Sequence, residues 1–170
     1  MNNFKCYIES QEGFVCMEFS GRMDEDMILP DRSQLEGKHV LVDFEEVAFI
    51  NSLGIRKWLM WIEKHPFKSL RFKNLPLNVV DQVNMVEGFL PEDSQVESFY
   101  VPYYCEGCEL ETHHHFEEGR EFCWGIKVPT DEELRSKKCE ECGSGIEPSV
   151  QEQKFFLFLM KTLQTYSMAA

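Results

Sequence analysis

The chain has 170 residues, 43 % of them hydrophobic and 28 % charged, which is globular composition and excludes a disordered chain. A net charge of −13 argues against nucleic acid as a partner, because phosphates must be neutralised by Lys and Arg. The longest apolar run, Phe155 to Met160, is far short of the ~20 residues of a membrane helix, so no membrane association is expected.

In chain order, Phe4, Cys6 and Ile8 alternate with polar residues, as do Val15, Met17 and Phe19 beyond the turn residues 10–13. This period of two predicts a β-hairpin. Residues 24–37, broken by Pro30 and Gly37, predict a short or interrupted helix. Val40-Leu41-Val42 reads as a central strand buried on both faces. Ile55, Trp58, Leu59 and Ile62 recur at helical spacing, with Asn51 or Ser52 as the cap and Pro66 as the stop. A strand at Leu70–Phe72 and a helix from Pro76 to Gly88 follow, then a last strand, 98–104. Phe122–Val128 is expected to pair back as a further strand. From Val150 onward Phe155, Phe156, Leu159, Leu163 and Tyr166 form the apolar stripe of a C-terminal helix. Strands followed by alternating strand and helix give an α/β fold, a mixed sheet with packed helices.

The strongest chemical pattern is Cys105-Glu-Gly-Cys108 with Cys139-Glu-Glu-Cys142. Zn²⁺ takes a closed tetrahedral shell of cysteine sulfurs in structural sites, and two Cys-x-x-Cys knuckles supply it. Gly107 and Gly143-Ser144-Gly145 give the knuckles backbone freedom. One structural zinc on these four residues is expected, with no open position for catalytic water. Two disulfides or unconnected thiols are the alternatives. Cys6, Cys16 and Cys123 read as small buried hydrophobes. Residues 105–147 hold 12 acidic and 5 basic side chains, so a ribbon there would repel DNA. His113, His114 and His115 read as a polar loop, with one of them replacing a cysteine ligand as the lesser alternative. A hydrolase built on them is disfavoured, since neighbouring strand residues point to opposite faces. No signal peptide is read ahead of Phe4, so a reducing cytoplasm is the expected home.

Three segments carry a resemblance. Ser20-Gly-Arg-Met-Asp24 is similar to the Gly-x-Leu-Asp turn after the second strand of STAS domains, the fold of bacterial anti-sigma factor antagonists. Val40-Leu-Val-Asp43-Phe with Phe49-Ile-Asn-Ser52-Leu-Gly54-Ile resembles the family's strand and Asp-Ser-x-Gly-Leu helix start. Leu75-Pro-Leu-Asn-Val-Val with Val86-Glu-Gly-Phe89 resembles its later helix. The resemblance covers about residues 4–104 and implies a STAS-like domain over 1–104. A zinc-ribbon segment, 105–148, and a C-terminal helix, 149–170, then follow, the helix packing on the body or on a partner.

The resemblance further implies a non-enzymatic signalling module that binds a protein partner, a kinase-type anti-sigma factor in the family. Ser52 stands where the family has its phosphoacceptor, and Asn51 where it has an Asp. Asp24, Asn51 and Leu53 would border the partner-binding surface. On the residues alone, Ser52 is equally a plain cap or first-turn residue, and Asp24 a solvated turn acid. Two further expectations stand beside these: a zinc- or redox-responsive regulator using the four cysteines, and a homodimer through the C-terminal helix.

Overall fold

The computed structural model describes residues 3–63 and 66–160, in two compact units, 1–97 and 98–170. In the first unit, β1 (Lys5–Gln11) and β2 (Phe14–Met23) form the expected hairpin. The parallel strands β3 (His39–Ile50), β4 (Ser69–Lys73) and β5 (Gln95–Val96) follow, so the sheet order is β1-β2-β3-β4-β5. Helix α1 (Ser52–Ile62) joins β3 to β4 and α2 (Leu77–Met85) joins β4 to β5. Every parallel crossover steps one strand in the same direction. Right-handed connection therefore puts both helices on one sheet face.

That geometry accounts for the burial pattern. Val15, Met17 and Phe19 of β2 are buried, as are Val40, Val42 and Phe44 of β3. Leu41, expected inside a strand covered on both faces, is only half-buried, because it points to the face without helices. Trp58 anchors the core. Its ring lies 5.9 Å from Phe19, 5.7 Å from Phe44 and 5.8 Å from Phe89, and its Nε1–H donates to the Phe89 carbonyl at 2.8 Å. Burying each such aromatic contributes about 2–3 kcal/mol. The segment before β3 keeps only a 3₁₀ turn, Arg32–Leu35, as its proline and glycine suggest. Arg32 donates to the carbonyls of Trp61 (3.1 Å) and Glu63 (2.9 Å), a cation at the negative end of α1.

In the second unit, β6 (Ser98–Cys105) pairs antiparallel with β7 (Leu110–Glu117) and with β8 (Glu147–Pro148), in the order β7-β6-β8. The strand expected at 98–104 thus belongs to this second sheet; the first ends at β5. Phe122–Val128 forms only isolated bridges, Glu118 with Phe122 and Cys123 with Lys127, because turns at Gly119 and Gly125 (φ +82° and +70°) interrupt it. Cys123, like Cys6 and Cys16 of the first unit, was expected to be buried; the structure corrects this, since all three are only half-buried. Helix α3 (Asp131–Arg135) starts at a capping box of Thr130 and Glu133.

The C-terminal apolar run begins with α4 (Glu152–Phe155), and helical backbone resumes over 157–160. Phe155, Phe156 and Phe158 gather around Phe99 at ring distances of 6.2, 6.1 and 5.4 Å, alongside Phe116 and Phe122. Of residues 155–160, Leu157 alone is exposed. Leu163 and Tyr166 of the expected stripe lie outside the described residues. Among the described residues, no helix is long and apolar enough to cross a membrane.

Candidate metal centre

The two cysteine knuckles are built by different local means. Register between β6 and β7 pairs Cys105 with Leu110, so the first knuckle is the hairpin turn itself. Glu109 closes that turn in the left-handed region at φ +54°. The second knuckle closes on itself: Gly143 N–H donates to the Cys139 carbonyl (2.9 Å), and Cys139 N–H to the Ser144 carbonyl (2.8 Å). Gly143, at φ +72°, makes that return possible.

The knuckles meet closely. The four sulfurs of Cys105, Cys108, Cys139 and Cys142 all lie within 4.8 Å of one another. Sγ of Cys105 is 3.6 Å from that of Cys142, and Sγ of Cys139 is 4.0 Å from that of Cys108. A Zn–S bond of about 2.3 Å sets tetrahedral sulfurs about 3.8 Å apart. The donor set therefore fits a tetrahedral thiolate site, and all four cysteines are free thiols rather than disulfides. Gly107 packs against the second knuckle: a Cβ there would lie 3.4 Å from Ser144 Oγ and 3.5 Å from Cys142 Sγ, ordinary van der Waals contact.

Thiol chemistry within the cluster is uneven. The hydroxyl and backbone N–H of Ser144 hold the Cys142 thiol down at about 6. Cys108 is pushed up to about 12 by sharing a hydrogen bond with Cys142, then by burial. With thiols so close, Cys142 carries the first negative charge, and a dication is what lets the remaining sulfurs ionise together. Ser144 is the functional residue that sequence reasoning missed. Its position two residues after the last cysteine was read only as backbone freedom.

The three histidines sit on β7, not in a loop: His113, His114 and His115 pair with Pro102, Val101 and Tyr100. Strand pairing with apolar β6 outweighs their polarity. His114 packs on the Tyr103 ring at 4.9 Å, and burial lowers its pKa. Among the described residues, the group able to hold a metal contains the four cysteines and no histidine.

The second candidate site is the start of α1. Asn51 is the cap: its Oδ1 accepts from Leu53 N (3.0 Å) and Gly54 N (2.9 Å), while its Nδ2 donates to Glu25 Oε2 (2.9 Å). Ser52 is the first helical residue and exposed, and Leu53 is 49 % exposed. Asp24 is engaged within its own turn, accepting from Arg22 Nε (3.1 Å) and Asp26 N (3.2 Å). The Asn51 N–H donates to the Met23 carbonyl at 3.1 Å, so the turn and the helix start are joined. Lys57 ties α1 to the same turn through the carbonyls of Glu25 and Met27. A groove of about 840 Å³ runs from Ser52 past Ile55, Leu59 and Met60 to the loop at Gly88 and Pro91.

No protein-family model and no curated protein matches this chain.

Proposed function

We propose that the chain is a non-enzymatic protein-interaction module, resembling the STAS anti-sigma factor antagonists, carried beside a structural zinc centre. The observation that carries the first half is the division of labour at the start of α1. Asn51 makes the cap, which leaves exposed Ser52 without that structural duty and beside an apolar groove. A phosphate on Ser52 would add about −1.5 to −2 charges next to that groove. The positive end of α1 would accommodate it locally. Asp24 and Leu53 flank the same surface, and a kinase-type anti-sigma factor is the class of partner the resemblance implies. The element order of the first unit, with the Gly21–Asp24 turn after β2 and the Asn51–Gly54 helix start after β3, supports the family reading.

The zinc half rests on the four sulfurs within 4.8 Å. Residues Cys105, Cys108, Cys139 and Cys142 would hold the ion, and a closed shell leaves no water to activate, so the metal's contribution is structural. The test of the module is affinity capture from source cells with wild-type, Ser52→Ala and Ser52→Glu chains, read by mass spectrometry. A protein kept by the first two and lost by Ser52→Glu, at equal melting temperature, supports the reading. The same proteins on all three would end the phosphoserine switch.

One observation favours a redox-responsive use of the centre: Cys142 is exposed while Cys105 and Cys139 are buried. Zinc release by low peroxide, reversed by added thiol, would support it; retention of zinc would exclude it.

A further inference from the structure

β1 is the edge of the first sheet, paired with β2 on one side and with no strand on the other among the described residues. An edge of this kind presents unpaired backbone N–H and C=O groups, and proteins commonly blunt it by shortness, proline, a bulge or charged side chains. The opposite edge, β5, is two residues long. β1 has only the last of these, in Lys5 and Glu9, and those two charges are opposite in sign. It runs seven residues, contains no proline, and keeps unbroken register with β2 from Lys5↔Ser20 to Gln11↔Phe14. Its side chains stand clear of the protein: Tyr7 is 56 % and Ile8 42 % exposed, and Lys5 and Glu9 are exposed as well.

The order of these residues is self-complementary. Suppose a second copy of β1 runs antiparallel alongside the first, centred on Tyr7. Lys5 then faces the other copy's Glu9, Glu9 faces its Lys5, Cys6 faces its Ile8, and the two Tyr7 rings meet at the axis. Directly opposed residues share a sheet face, so each Lys–Glu pair is a cross-strand ion pair. Cys6 and Ile8 pair with Phe19 and Met17 of β2, which puts the new apolar contact on the helix-covered face. Among the described residues neither Lys5 nor Glu9 has an ion-pair partner within its own chain. The other long edge behaves oppositely. Centring β7 on His114 would set Glu111 against Glu117, a like-charge pair on each side of the axis.

We infer that β1 is the seam of a two-fold homodimer in which the five-stranded sheets of two copies join antiparallel through Lys5–Gln11 about Tyr7. The contact is isologous, so each favourable pair occurs twice and the assembly closes at two copies. It needs neither Ser52 nor the cysteine centre.

Sedimentation of the 170-residue chain tests this against the 20.0 kDa monomer mass. The expected result is a species of twice that mass at micromolar concentration. Lys5→Glu opposes like charges at both pairs and should weaken association by about tenfold or more. The charge swap Lys5→Glu with Glu9→Lys should restore it. So should mixing the Lys5→Glu and Glu9→Lys chains, each weakly associating alone, which also shows that both fold. A 20.0 kDa species throughout, or association indifferent to the single reversals, would overturn the inference.

Discussion

Gly54 and Met23 touch so closely that a Cβ on Gly54 would lie 1.9 Å from the Met23 carbonyl oxygen. The obstacle is backbone, so a side chain cannot swing aside to make room. This contact fixes how the start of α1 packs against the end of β2, and with it the position of Asn51, Ser52 and Leu53. Gly54→Ala gains about 1 kcal/mol of helix propensity. It must also move backbone on one side, and overpacking alone costs about 1–3 kcal/mol or more. The clash should win. Urea unfolding is expected to show a net loss of roughly 2 kcal/mol or more, with the start of α1 displaced from the end of β2.

Asn51 and Ser52 should respond differently to truncation. Asn51→Ala removes the oxygen that caps Leu53 and Gly54, a loss of about 1 kcal/mol within the 0.5–2 range for caps. Ser52→Ala should be close to neutral in the same thermal melt.

The Asn51 amide also explains why an Asp would fit poorly at this position. It donates to Glu25, which is why Glu25 titrates below the usual carboxylate range. Because the folded value is depressed, this contact stabilises above the ordinary value of 4.5 and fades as pH falls through the lowered one. In Asn51→Asp two carboxylates would face each other instead. Its stability should therefore improve on mild acidification where wild type declines, and Glu25→Gln should abolish the difference.

Lys137 and Glu121 form a part-buried ion pair in the second unit, 3.0 Å apart, with Glu121 only 7 % exposed and Lys137 half-buried. Burial raises the Glu121 pKa, but the Glu117 N–H and the Lys137 ammonium outweigh it and the net shift is down. Its contribution is thus present above 4.5 and lost as pH falls through the depressed value. Lys137→Met removes the cation from a part-buried carboxylate and should destabilise the second unit at neutral pH. It should also weaken the loss of stability on acidification, since the Lys137 contribution to the depressed value is gone. A pH series of denaturant melts reads both effects.

Ser144 makes a separate prediction. Its hydroxyl and N–H both serve Cys142, and outer partners of metal ligands are worth up to about 10–100-fold in affinity. Ser144→Ala keeps the N–H, so a loss near tenfold in zinc affinity is expected by chelator competition, with the fold unchanged.

The first unit was largely legible because its signals are local. Alternation in β2, helical spacing from Ile55 to Ile62, and turn chemistry at Gly88 each depend on a few neighbouring residues. The four cysteines were legible for the same reason, since knuckle spacing is a short-range property. What could not be read depends on pairing across distance. Residues 98–104 look like a strand in either sheet, and only the hairpin that closes at Cys105 assigns them to the second. His113 to His115 resemble a loop until β6 is known to lie beside them. The role of Ser144 appears only once Cys142 is seen folded back over it.

The zinc centre is the claim most open to a single decisive measurement. Elemental analysis of purified chain, with X-ray absorption at the zinc edge, should find close to one zinc per chain bound by sulfur at about 2.3 Å. Cys139→Ser should lose the ion and unfold residues 98–160 while the first unit stays folded, as read by hydrogen exchange. A metal-free chain with the same fold and the same melting temperature would contradict the account.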